Sequence, residues 1–222
     1  MLLGSRSATI RAWLSALVNQ SLVGRFGEVV EASVEQLIGQ CHQLYEAPPL
    51  GALVRAGDGV FGVVSGIVTS ALDPSRRVIA RGQDAASEAE VYAAHPQLER
   101  LLRTDVTITT VGHCEAGGPV RQYLPAQPPR IHTFLYQTTP EEVRWFFGGG
   151  STPSLDFVPL LVGWGGAADD VLAAVLRHAA PAFNPPREFL IEAGKAVAVA
   201  LAGDTARINA IVRRLPLAEG RP

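Results

Sequence analysis

Apolar and polar positions alternate most regularly between Asp105 and Cys114, where Val106, Ile108 and Val111 are separated by threonines, and a period of two predicts a β-strand. A second β-rich region runs from Pro48 to Val68. Two short β-rich runs flank Gly57-Asp58-Gly59, and because glycine accepts positive φ and Asp-Gly favours tight reversal, the spacing predicts a hairpin. Gly51, Gly62 and Gly66 fall inside this strand pattern and predict bulges or sharp coiling. Phe26, Val29 and Val30, then Val34, Leu37 and Ile38, predict further β-structure on a segment that also carries Glu28, Glu31 and Glu35. Ile131 to Tyr136 predicts one more strand.

Helical spacing takes over elsewhere. Ile10, Trp13, Leu14, Leu17 and Val18 form one stripe over residues 5–20. Gln83 to Arg103 is rich in alanine and glutamate, and His95-Pro96 divides a loose first part from a firmer helix bearing Leu98, Leu101 and Leu102. Thr139-Pro140-Glu141-Glu142 has the form of a capping box, opening a helix with Val143, Trp145, Phe146 and Phe147. Gly148-Gly149-Gly150-Ser151 ends that helix and marks the expected domain boundary. Three helices follow: one carrying Val171, Leu172, Val175 and Leu176, one capped by Asn184 ahead of Pro185-Pro186, and one capped by Asp204. The expected fold class is α+β: a small β-barrel with an inserted helix, then an α-helical C-terminal domain. The expected units are an N-terminal amphipathic helix over 1–21, the barrel over 22–150 and the helices over 151–222.

Composition narrows the function classes. With 47% hydrophobic residues among 222, the chain can build a substantial core, and a formal net charge of −2 gives no global attraction to nucleic acid or anionic membrane. Cys41 and Cys114 are the only cysteines, too few for a disulfide scaffold, so a reducing cytoplasm is expected. No N-terminal apolar segment has signal-peptide form, and no run approaches the ~20 apolar residues of a membrane span.

Candidate chemistry is sparse. Cys41-His42 and His113-Cys114 pair thiols with imidazoles, but neighbouring strand residues face opposite ways and the short cysteine spacing of structural zinc is absent. Asp169-Asp170 reads as negative charge at a helix start rather than as metal carboxylates. Gly148 to Thr152 reads as a connector rather than an anion loop, since no helix begins on it. Arginines cluster at Arg76-Arg77 with Arg81, at Arg100 with Arg103, and at Arg213-Arg214. The first cluster follows a strand, where small barrels present nucleic-acid contacts, so Arg76, Arg77 and Arg81 are the candidate nucleic-acid-binding residues. No aromatic platforms are interleaved with them, which favours solvated surface arginines. No catalytic, cofactor or metal residues are assigned.

Val23-Gly24-Arg25-Phe26-Gly27-Glu28-Val29-Val30-Glu31-Ala32-Ser33, Pro49-Leu50-Gly51-Ala52-Leu53-Val54 and Gly59-Val60-Phe61-Gly62-Val63-Val64, with Val111-Gly112 and the segment Leu124-Pro125-Ala126-Gln127-Pro128-Pro129, carry a likeness to a known family. Residues 22–147 resemble the HAS-barrel family, the β-barrel shared by HerA-type DNA translocases and the N-terminal domains of rotary ATP synthase subunits. The resemblance implies a barrel that sits on a ring ATPase and mediates assembly. The chain departs from the translocases at the phosphate-binding loop, which needs Gly, four residues, Gly-Lys and Ser or Thr. Around the sole lysine, Lys195, Phe189 replaces the first glycine and Ala196 the hydroxyl. The expected function is therefore a non-enzymatic protein-binding or assembly module docking onto a separate ring ATPase. The alternatives are a DNA-binding accessory protein using the arginine loop, and an enzyme whose site converges only in space. A homo-oligomer stays open.

Overall fold

The computed structural model describes residues 24–115, 118–149, 153–163 and 167–216; the helix expected over residues 5–20 and the boundary expected at Gly150 lie outside the described residues. The strands are β1 (Arg25–Ala32), β2 (Gln36–Cys41), β3 (Leu53–Ala56), β4 (Val60–Ala71), β5 (Leu102–Cys114), β6 (Val120–Arg121) and β7 (Phe134–Gln137). They form one antiparallel sheet in the order β2-β1-β7-β3-β4-β5-β6, and β2 also pairs with β5, so the order runs partly around a ring.

Both faces of much of this sheet are covered. Val29, Leu37, Val54, Val64, Val106, Ile108 and Leu135 cluster together on one face. Leu53, Phe61, Val63 and Val111 join a second cluster with the C-terminal helices. Consecutive strand residues face opposite ways, so Leu53 and Val54, or Val63 and Val64, serve different clusters. That double burial explains why the first half of β4 reads as a continuous apolar run rather than as apolar-polar alternation.

The hairpin between β3 and β4 forms as expected, with Ala56 paired to Val60 and Gly57 at φ 55°. Register shifts at Phe61/Gly62 and Val64/Gly66 are the irregularities that the glycine pattern predicted. Gly51 is different: it lies in the turn before β3, not in a strand. Its φ is 81°, and a Cβ there would come within 2.4 Å of the Ala174 side chain. Glycine at this position lets the turn press against a helix backbone.

The helices are α1 (Glu88–Ala94), α2 (Leu98–Leu101), α3 (Pro140–Phe146), α4 (Val158–Val162), α5 (Ala168–Ala179), α6 (Pro186–Ala200) and α7 (Thr205–Val212), with a 3-10 turn at Ala180–Ala182. The capping box forms: the Thr139 hydroxyl accepts from the Glu142 amide at 3.2 Å, and Glu142 accepts from the Thr139 amide at 2.8 Å. Asp204 caps α7 as expected, whereas the residue ahead of α6 is Pro185 and not Asn184. The division at His95-Pro96 is inverted, since the longer helix α1 precedes it and only the single turn α2 follows. Leu102 and Arg103, expected in a helix, pair instead with Ala71 and Ser70 and lengthen β5. Strand β7 begins at Phe134 because His132, at φ 66°, occupies a turn.

A buried ion pair joins the hairpin to α3. Arg55 Nε donates to Glu142 Oε1 at 3.0 Å, Arg55 Nη1 donates to the Gly57 carbonyl, and the guanidinium lies 4.7 Å from the Tyr136 ring centroid. The capping glutamate of α3 thereby also fixes the hairpin turn. Asp169 and Asp170, besides lying at the start of α5, pair with Arg207 at 2.6 Å and Arg214 at 2.7 Å. Among the described residues no helix is long and apolar enough to cross a membrane.

Candidate docking surface

Strand β4 has two halves. Val60 to Val63 are paired with β3 on one side and β5 on the other, and Val64 is still flanked by the turn, donating to Ala52 and accepting from Gly51. From Gly66 to Ala71 the strand pairs only with β5. Among the described residues, nothing hydrogen-bonds to the backbone of this second edge.

The side chains change with the pairing. Val63 and Val64 are fully buried, whereas Ile67 is 43% and Val68 58% exposed. Since Ile67 and Val68 point to opposite faces, the outer half of β4 is an arm bare on both sides, while its β5 partners Val106 and Thr104 are buried and β5 pairs there with β2. Leu72, Leu101 and Val78 add exposed apolar surface beside the arm, and Ile79, next to Val78 in the chain, is exposed as well. Polar contacts stiffen the arm: Thr69 Oγ1 and Thr104 Oγ1 lie 2.9 Å apart, and the Tyr45 amide donates to the Thr104 hydroxyl at 2.9 Å. Tyr45 and Tyr92 share a hydroxyl hydrogen bond that ties α1 to the loop after β2, and this bond, with burial a lesser cause, pushes the Tyr92 phenol up to about 12.

The loop beyond β4 is ordered by its own acid. Asp73 Oδ1 accepts from the Ser75 hydroxyl at 2.7 Å and the Ser75 amide at 2.9 Å, and Asp73 Oδ2 lies 3.3 Å from Arg76 Nε. The Ser75 hydrogen bonds first, and Arg76 after them, hold the Asp73 carboxyl below its ordinary value. A cleft of about 430 Å³ then opens between loop and strand, with Thr69, Pro74, Arg76, Arg77 and Arg103 in its lining.

The expected arginine group is thus partly regrouped. Arg76 and Arg77 stand together, Arg81 is exposed farther along the loop and does not line the cleft, and Arg103 joins from β5, paired to Asp105 at 2.9 Å. Sequence proximity groups Arg103 with Arg100 instead. Its pairing with Ser70 across the ladder is the signal that brings it here.

The thiol and imidazole pairs are not brought together. Cys41 lies in the cluster with Phe26 and Val29, where burial, and then Asp105, push its thiol up to about 11. Cys114 packs against the helix-facing cluster and donates to the Asp58 carbonyl at 3.3 Å. His42 and His132 both reach Glu28, which accepts from His42 Nε2 at 3.2 Å and from His132 Nδ1 at 3.1 Å. These bonds, His132 first, hold the Glu28 carboxyl below its ordinary value. An open cavity of about 650 Å³ lies alongside, bordered by Arg25, His42, Gln43 and Glu46. Among the described residues, no group of three or more His, Cys, Asp or Glu is placed to hold a metal ion.

No family model matches this chain, and no curated protein matches it.

Proposed function

We propose that this chain is a non-enzymatic assembly module: a small barrel of the HAS kind, followed by a helical unit, that docks onto a separate ring ATPase of the translocase type. The return of β2 to β5 supports the barrel reading, and the family likeness over residues 22–147 supports the partner class. The observation that carries the docking role is the arm. Ile67 and Val68 expose apolar surface beside an unpaired strand edge, and exposed Val78 lines the cleft with Thr69, Ser70 and Ala71, the composition of a protein contact. Capture from native lysate tests this. Wild type is expected to enrich an ATPase polypeptide that the exposed-loop variant V78D/I79D loses; equal recovery by both, or no ATPase with either, overturns the reading.

A second reading rests on Arg77 and Arg81, which have no ion-pair partner among the described residues. In it, Arg76, Arg77 and Arg81 contact DNA phosphates. Binding at low salt that falls in the triple alanine variant and weakens steeply with added salt supports it, and equal or absent binding removes it.

A further inference from the structure

We propose that residues 66–71 of β4 receive an extended acidic segment of a partner protein as an added strand, its carboxylates held at one end by Arg76, Arg77 and Arg103. The inference rests on the assembly reading and specifies how the contact is made.

The first argument is the edge itself. Over about 20 Å, every second one of these six residues turns its backbone N–H and C=O away from β5 and leaves them unpaired. Protein sheets ordinarily blunt such an edge with charge, proline or a covering element. Here Gly66-Ile67-Val68-Thr69-Ser70-Ala71 contains no charge and no proline, and no described element pairs with it. It is long, neutral and rich in β-branched residues, the properties of an edge that accepts another strand.

Charge identifies the occupant. Arg76 and Arg103 each meet one carboxylate through Nε, so their terminal nitrogens remain as donors, and Arg77 has no ion-pair partner among the described residues. An added strand running past Ala71 brings its side chains into this cleft, where carboxylates would find guanidinium forks. A second copy fits poorly: pairing two such edges antiparallel sets Gly66 opposite Ala71 and Ser65 opposite Leu72, and neither Gly66 nor Ser65 supplies a carboxylate. A nucleic acid would answer the arginines but leave Ile67, Val68, Val78 and Ile79 bare, with no aromatic stacking platform among those four.

The test uses the full chain and a synthetic peptide of about seven residues, the length of a typical strand, alternating valine and glutamate. Titrated into isotope-labelled protein, it is expected to shift the backbone amides of residues 66–71, 76 and 77. N-methylating alternate peptide amides separates strand addition from side-chain adhesion, because only one of the two alternate sets faces β4. One methylated set is expected to weaken binding about tenfold or more and the other to leave it nearly intact. Replacing peptide glutamate by lysine, or the variant R76A/R77A, is expected to weaken binding by a similar factor.

No shift along β4 at about 1 mM peptide, or equal loss with both methylated sets, overturns the proposal. So does preference for an oligothymidylate over the peptide, or a concentration-dependent shift of the same amides without peptide, which would assign the edge to a second copy. If lysate capture yields an ATPase while the peptide leaves β4 unshifted, strand addition falls and the assembly reading stands. A docked peptide with no ATPase captured removes the ATPase and keeps the edge site.

Discussion

Strand β4 runs beside β5 along its whole length, yet the two ends of β4 belong to different kinds of surface. At the inner end Phe61, Val63, Val64, Ile108 and Val111 are fully buried, whereas at the outer end Ile67 and Val68 face solvent with the same β-branched chemistry. What differs is the neighbourhood. The inner end is flanked by β3 and roofed by α5, while the outer end has only β5. Burial in this molecule is conferred by which elements lie alongside, and a strand that outruns its neighbours becomes an interaction surface without any change in its own composition.

Truncation at the inner end gives the sharpest test. Phe61 packs against Trp145 and Phe146 with ring centroids 5.7 and 5.5 Å away, so Phe61→Ala should cost about 4 kcal/mol in chemical denaturation. A loss under about 1 kcal/mol would mean that this end is not the anchored one. Next in size is the ion pair that braces the hairpin. Glu142→Ala leaves the Arg55 guanidinium buried and removes the acceptor of the Thr139 amide in the capping box, for about 3 kcal/mol. The double variant Arg55→Met/Glu142→Leu should recover much of that loss, because no uncompensated charge remains.

At the outer end the expectation reverses. Val68→Ser should change stability by under about 0.5 kcal/mol, as for other exposed positions, while weakening partner capture. A destabilisation as large as that of Phe61→Ala would place Val68 in the core and erase the contrast. Smallest is a pH effect away from the arm. The Glu28 carboxyl, lowered by His132 and His42, contributes stability that is present above its ordinary value of 4.5 and lost as pH falls through its lower folded value. Carbon-detected titration should put its midpoint below 4.5, and replacing both histidines by glutamine should move the midpoint upward.

These contrasts also show what was legible before the fold. Gly57-Asp58-Gly59 and Thr139-Pro140-Glu141-Glu142 act through bonds within a few residues, so their spacing alone predicts the hairpin and the capping box. Gly51 looked like a strand glycine because its reason lies in α5, far along the chain. Leu102 and Arg103 continue a helical stripe in sequence, but pairing with β4 outweighs that local preference. The arm was invisible for a similar reason. The run from Val63 to Val68 is uniformly apolar and β-branched apart from Ser65 and Gly66, and nothing in it marks where β3 stops. Arg76 and Arg77 were legible as a cluster, but Arg103 could join them only through the ladder.

The cluster shared by the sheet and the C-terminal helices bears on how the chain is made. Phe61, Val63 and Val111 are buried with Leu172, Phe189, Leu190 and Ile211, residues that a ribosome adds only after every strand of the described sheet is complete. A nascent chain that pairs its strands early holds an apolar face uncovered until the last helices emerge. Synthesis therefore passes through an interval in which this face, as well as the β4 edge, is open to other chains, and a chaperone or an early-bound partner would find its widest target then.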